Sequence, residues 1–164
     1  MKRKVVVLIL LILLVGLYTV ASTYSIIIEV TDNNGENTIV NTITPRDIFT
    51  DTNGNYNSLY YDVIRELNIT EDEANILMDS NYINDKLQIV LQSIVDYNVD
   101  NNKDAKLSNT EIHNMIREAV TNTEGLTDDT KTRIINKSNT YINDISDYVY
   151  DFDITILEGN KWYT

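Results

Sequence analysis

Twelve consecutive residues, Asp100 to Glu111, hold the side chains with the most definite chemical potential in this chain. Asp100, Asn102 and Asp104 alternate at positions 1, 3 and 5 of the stretch. Lys106 at position 7 offers a backbone carbonyl and Ser108 at position 9 a hydroxyl. Glu111 at position 12 closes the set with a carboxylate able to engage through both oxygens. A hard cation such as calcium takes about six to eight oxygen ligands in flexible geometry, and alternating ligands on a tightly turned backbone aim at one point. Leu107, between two ligand positions, would anchor such a loop to a core. Lys103 and Lys106 offset part of the carboxylate charge, so a weak site is expected. The same residues admit a second reading. Ser108-Asn109-Thr110-Glu111 is a capping box, in which the hydroxyl caps a helix and the glutamate reaches back to the cap nitrogen. That accounts for positions 9 and 12 without a metal and leaves Asp100 to Asp104 as a solvated connection.

Other chemistry is sparsely represented. With no Cys, disulfides, thiol catalysis and Cys-based zinc sites are excluded. His113 is the single histidine, with no nucleophile elbow or second catalytic group to serve, so the chain is expected not to be an enzyme. Glu71, Asp72 and Glu73 suit the first turn of a helix. Asp51, Asn53, Asn55 and Asp62 have loop-like spacing, but Tyr56 stands where a glycine is wanted, and the segment reads as a turn. Most of the eleven tyrosines fall on helix faces, as packing residues do. The net charge is −12, and no acidic residue precedes Glu29, so the remainder is more acidic still. That argues against nucleic-acid binding, and no nucleic-acid partner is expected, because phosphate contacts need Lys and Arg.

The elements that would position the loop are two helices. Ile83, Leu87, Val90, Leu91, Ile94 and Val95 recur at helical spacing before it, and Ile112, Met115, Ile116, Ala119 and Val120 after it. On this ligand order, the apolar position 8 and the flanking faces, the stretch from about Leu91 to Val120 resembles an EF-hand. The resemblance implies calcium as cofactor, with Asp100, Asn102, Asp104, Lys106, Ser108 and Glu111 as its ligands. Two residues depart from the pattern. Ala105 occupies the position where the family turns left-handed on a glycine, at a cost of roughly 1 kcal/mol for alanine. Asp96 takes a position that the family usually gives to an apolar residue.

At the N-terminus, Lys2, Arg3 and Lys4 precede an almost unbroken apolar run over residues 5–21. That length suits a membrane-spanning helix with its basic end in the cytoplasm and the rest of the chain extracytoplasmic. The alternative is a signal peptide cleaved after Thr19-Val20-Ala21, giving a secreted protein. Residues 1–23 therefore read as anchor and residues 24–164 as one extracytoplasmic domain, with a helix–loop–helix over 83–122. Residues 24–31 and 38–43 are β-branched and flank Asn34-Gly35, predicting a hairpin. Pro45 begins a short turn. Helices are expected from Ser58, from the capping box Thr70/Glu73, over 83–95, after the loop, and from Thr127 or Asp128, with a kink near 137–140. Residues 152–157 alternate as a half-buried strand, the natural third strand for the hairpin. The fold class is mainly α with a small β-sheet (α+β): an N-terminal transmembrane helix, a β-hairpin, a bundle of about five helices and a C-terminal strand.

The basic tip with its apolar run, the Asn/Ile-rich composition and the absence of Cys resemble single-anchor ectodomain proteins of AT-rich Gram-positive bacteria, an architecture that carries no activity with it. The partners it implies are the lipid bilayer, through the N-terminal helix, and an envelope protein or wall polymer. Two functions follow. One is a membrane-anchored binding or structural ectodomain with a weak calcium loop. The other is a metal-independent interaction module or accessory subunit of a membrane complex, with the loop serving only as a helix cap.

Overall fold

A computed structural model describes residues 26–33, 35–40, 43–140, 149–150, 154–158 and 161–163. Among these residues the chain forms strands β1 (Ile26–Asn33) and β2 (Glu36–Ile39), then helices α1 (Pro45–Phe49), α2 (Ser58–Leu67), α3 (Glu71–Met78), α4 (Asn81–Asn98), α5 (Asn109–Asn122) and α6 (Asp128–Asn139). A 3₁₀ turn, Lys103–Ala105, lies between α4 and α5, and strands β3 (Ile154–Glu158) and β4 (Lys161–Tyr163) follow. The fold is mainly helical with one small sheet, as the periodicity predicts.

The sheet has the order β2-β1-β3-β4. β1 pairs antiparallel with β2, with Val30 opposite Ile39 and Asn33 opposite Glu36. Gly35, at φ +95°, makes the turn between them. β3 lies on the other side of β1 and runs parallel to it, Ile28 opposite Ile156. The alternation of β1 sorts its two faces: Ile28 and Val30 are buried, and Ile27, Glu29 and Thr31 are exposed. Two strands alone would be marginal, so the return of the chain from the far end to flank β1 is what makes the hairpin viable.

The helices bury the faces their sequence marks. Ile83, Leu87, Val90, Leu91, Ile94 and Val95 of α4 are all inaccessible to solvent or nearly so. Each contributes on the order of 1.5–3 kcal/mol by leaving water. They form one core with Leu59, Tyr60, Val63 and Leu67 of α2, Ile112, Ile116, Ala119 and Val120 of α5, and Ile134 of α6. The ends are capped by short polar side chains. Thr44 with Asp47 opens α1 and Thr70 with Glu73 opens α3, both as full capping boxes, while Asn57 caps α2 and Thr127 caps α6. Polar groups inside the core find partners: Ser80 and Thr123 share a hydrogen bond of 2.7 Å, and the Thr123 hydroxyl donates to the Ala119 carbonyl at 2.8 Å.

Several expectations shift in detail. Asn57, not Ser58, caps α2, because its side chain accepts from the Tyr60 amide. The turn after Pro45 is a five-residue helix. The C-terminal strand pairs parallel with β1, and a further strand, β4, follows it in an antiparallel turn-back that three residues are too few to announce. The helix from Thr127 is defined to Asn139, and Val149 and Tyr150 are again helical. The spanning helix over residues 5–21 lies outside the described residues, as does the expected kinked continuation over 141–148. Among the described residues no helix is long and apolar enough to cross a membrane.

Candidate functional site

The Asp100–Glu111 loop leaves α4 at Val99, whose amide donates to the Val95 carbonyl at 2.8 Å. Asn101 then takes the left-handed conformation, φ 55°, which asparagine tolerates better than most residues. The reversal that the EF-hand resemblance puts at Ala105 is therefore made four residues earlier. Ala105 instead closes the 3₁₀ turn Lys103–Ala105, where no glycine is required. Asn102 caps this turn: its side-chain oxygen accepts from the Asp104 amide at 3.2 Å. The Asn102 amide itself donates back to the Asp96 carbonyl at 3.0 Å.

The second half of the loop is the capping box. The Ser108 amide and hydroxyl both donate to Glu111 Oε2, at 2.7 and 2.6 Å, and the Glu111 amide donates to the Ser108 hydroxyl at 3.3 Å. These hydrogen bonds, that from the hydroxyl first, hold the Glu111 carboxyl below its ordinary range. Asp100 faces the other way. Its Oδ1 accepts from Asn37 Nδ2 on β2. Gln92 Nε2, on α4, donates to the Asn37 carbonyl at 3.1 Å and to Asp96 Oδ1 at 2.7 Å. Glu36, Asn37, Gln92, Asp96, Asp100 and Asn102 line an open polar cleft of about 400 Å³ between β2 and the end of α4.

Tyr150 fixes the middle of the loop. Its oxygen accepts from the Leu107 amide at 2.8 Å and its hydroxyl donates to the Ala105 carbonyl at 3.2 Å. Ser93 Oγ on α4 lies 3.0 Å from the same hydroxyl. The Tyr150 ring packs on Tyr97, 4.5 Å between centroids, and Lys103 Nζ sits 3.7 Å from the Tyr97 centroid. Burial pushes the Tyr150 phenol up, against the hydrogen bonds from Ser93 and Leu107. Lys106 is extended at φ −67°, ψ 118°, with its ammonium 5.9 Å from the Tyr150 ring centroid.

The six residues singled out from spacing are thus divided rather than gathered. Ser108 and Glu111 are joined to each other, Asn102 and Asp104 share a local turn, Asp100 is turned to β2, and Lys106 lies against Tyr150. Among the described residues no three His, Cys, Asp or Glu side chains come together as a metal cluster would require. Asp100 Oδ1 is engaged by Asn37 and Glu111 Oε2 by its own cap, so the six residues do not converge on one point in this arrangement. Asn37, Gln92, Ser93 and Tyr150, which shape the site, are not marked by any spacing signal. Asn37 and Tyr150 lie 63 and 43 residues from the loop residues they bond, and Gln92 and Ser93 lie on α4 ahead of the loop.

The remaining candidates sit in local contacts. Asp51 Oδ1 accepts from the Asn53 and Asn55 amides at 2.8 and 2.9 Å, and these bonds, the Asn55 amide first, keep its carboxyl low. His113 lies beside Arg117 one turn along α5. Tyr56 and Tyr60 stack at 3.9 Å. No protein-family model, curated protein or solved structure matches this chain.

The depressed Glu111 and Glu73 carboxyls give the fold a defined acid response. Thr130 is the first cause at Glu73, through its hydroxyl. In both groups the folded state favours the ionised form. Their contribution is complete above the ordinary glutamate value, about 4.3, and is lost as pH falls through and below it. Thermal midpoints of the full chain are expected to stay level from about pH 7 to 5 and to fall below about 4.5. A double variant, Glu73→Gln with Glu111→Gln, melts lower at neutral pH but shows a shallower acid decline.

Proposed function

We propose that this chain is a membrane-anchored extracytoplasmic interaction module, a structural or accessory component of the cell envelope, with the 100–111 loop secured by its own side chains rather than by an ion. The observation that carries this reading is a juxtaposition in the sequence: the first described strand, β1, starts at Ile26, five residues after Ala21 ends the apolar run that follows Lys2, Arg3 and Lys4. A basic tip followed by an apolar run of this length is what holds a domain against the outer face of a membrane. The acidic domain disfavours direct contact with anionic lipid or wall polymer and favours a protein partner bearing basic residues.

The test uses the full-length chain expressed in bacterial cells. It is expected to stay in the membrane pellet after alkaline carbonate washing, and residues 26–164 are expected to be digested by protease added to intact protoplasts. Release by carbonate, or protection from the protease, overturns the assignment. An N-terminus starting at Ser22 identifies a secreted protein instead.

Calcium binding is the second reading. It is favoured by the ligand order from Asp100 to Glu111 and by Asp100 and Asn102 lining one cleft. It would make the loop a site of weak affinity, in the range of roughly 10⁻⁴ to 10⁻³ M found for extracellular modules.

A further inference from the structure

The loop touches more of the molecule than its own two helices. On one side Asp100 holds Asn37 of β2, and the Asn37 carbonyl is held again by Gln92 of α4. On the other side Ala105 and Leu107 hold the Tyr150 hydroxyl, four residues before β3 begins at Ile154. β2 and β3 are the two neighbours of β1. The loop is thus bonded directly to β2 on one side of β1 and, on the other, to Tyr150, which precedes β3 by four residues in the sequence.

We propose that the 100–111 loop is a conformational joint coupling the helical core to both sides of the sheet, with the Asp100 carboxylate and the Tyr150 hydroxyl as its two pins. The two pins lie on opposite ends of a short segment stiffened by the Lys103–Ala105 turn and by the Asn102 amide bonded back to Asp96. Freeing one end lets the segment move and loosens the other. Displacement of the sheet is then felt at the loop, and a partner that seizes the loop loosens the sheet. This coupling goes beyond the anchoring proposed above and does not depend on it. Local opening of such a unit is read by amide exchange, in which cooperative segments lose protection together.

The experiment is hydrogen–deuterium exchange of the full-length chain in detergent micelles, comparing wild type with Tyr150→Phe and Asp100→Ala. Phenylalanine keeps the ring on Tyr97 and removes only the hydroxyl, and Asp100 is exposed, so its replacement leaves the core intact. Each variant is expected to raise exchange tenfold or more in both 36–39 and 154–158 as well as in 105–107, with α2 and α3 unchanged. The coupling is overturned if Asp100→Ala speeds only β2, or if Tyr150→Phe speeds only 105–107. Should Tyr150→Phe raise exchange throughout the chain, the Asp100→Ala pattern decides alone: a response at 154–158 supports the joint and its absence refutes it.

Discussion

Replacing Tyr60 by alanine is expected to destabilise the domain by about 3 to 5 kcal/mol, the cost of deleting a large buried aromatic. Tyr60 is 1% exposed and is among the largest fully buried side chains of the core. Its ring stacks on Tyr56 at 3.9 Å and meets Phe49 and Tyr61 edge-on at 6.3 and 5.3 Å. The alanine variant therefore loses the buried area and the specific ring contacts together. The damage spreads to a polar neighbour. The Tyr56 hydroxyl donates to Asn75 at 2.5 Å and accepts from Arg46 at 3.2 Å, and that position is held by the stack. Against a total of roughly 5–15 kcal/mol, such a loss leaves little margin. Chemical denaturation followed by circular dichroism checks it, with Tyr60→Phe as the control. That variant keeps the ring and gives up the hydroxyl's 3.5 Å contact to the Glu71 carbonyl and its interaction with Tyr56, so its midpoint is expected to move far less than that of the alanine variant. Burial also pushes the Tyr60 phenol up to about 12. The folded state favours the neutral form, so this contribution is intact below the ordinary value near 10 and lost as pH rises toward 12.

Glu73→Ala is expected to lower stability by about 2 to 3 kcal/mol, more than an ordinary helix cap, because two structures end on this carboxylate. Oε2 accepts from the Thr70 amide at 2.8 Å and completes the α3 capping box. Oε1 accepts from the Thr130 hydroxyl of α6 at 2.6 Å. Thr130 is 3% exposed, and its oxygen receives hydrogen bonds from Thr127 at 3.0 Å and Arg133 at 3.3 Å. Removing the carboxylate leaves a buried hydroxyl proton without its acceptor as well as uncapping α3. Glu73→Gln separates the two effects. An amide oxygen still caps, as glutamine does in capping boxes, but only one of the two Glu73 acceptors remains. Its expected loss is about half that of alanine, measured by the same denaturation.

Distance along the chain decides which contacts the sequence makes legible. α4 and α5 were legible because their apolar residues repeat within a few positions, and the Thr70/Glu73 and Ser108/Glu111 boxes because a cap needs only four residues. The loop's ligand spacing was legible for the same local reason. What spacing does not contain is the competing partner. Asp100 finds Asn37 across 63 residues, and Leu107 finds Tyr150 across 43, so the carboxylate that reads as a first metal ligand is already a link to β2. The left-handed turn moved for a local reason that was present but unread: Asn101 accepts that conformation more cheaply than Ala105. β4 was missed because a three-residue strand has no period to detect.

We propose that side chains, rather than an ion, hold Asp100–Glu111 in place. Calorimetric titration of calcium into the full-length chain, beside Glu111→Gln, tests it most directly. Glutamine preserves a cap and destroys a bidentate carboxylate ligand. No saturable heat and no change in thermal midpoint is expected for either protein up to several times 10⁻³ M calcium, about the upper end of the extracellular range. Saturable binding by the wild type that Glu111→Gln abolishes would contradict it.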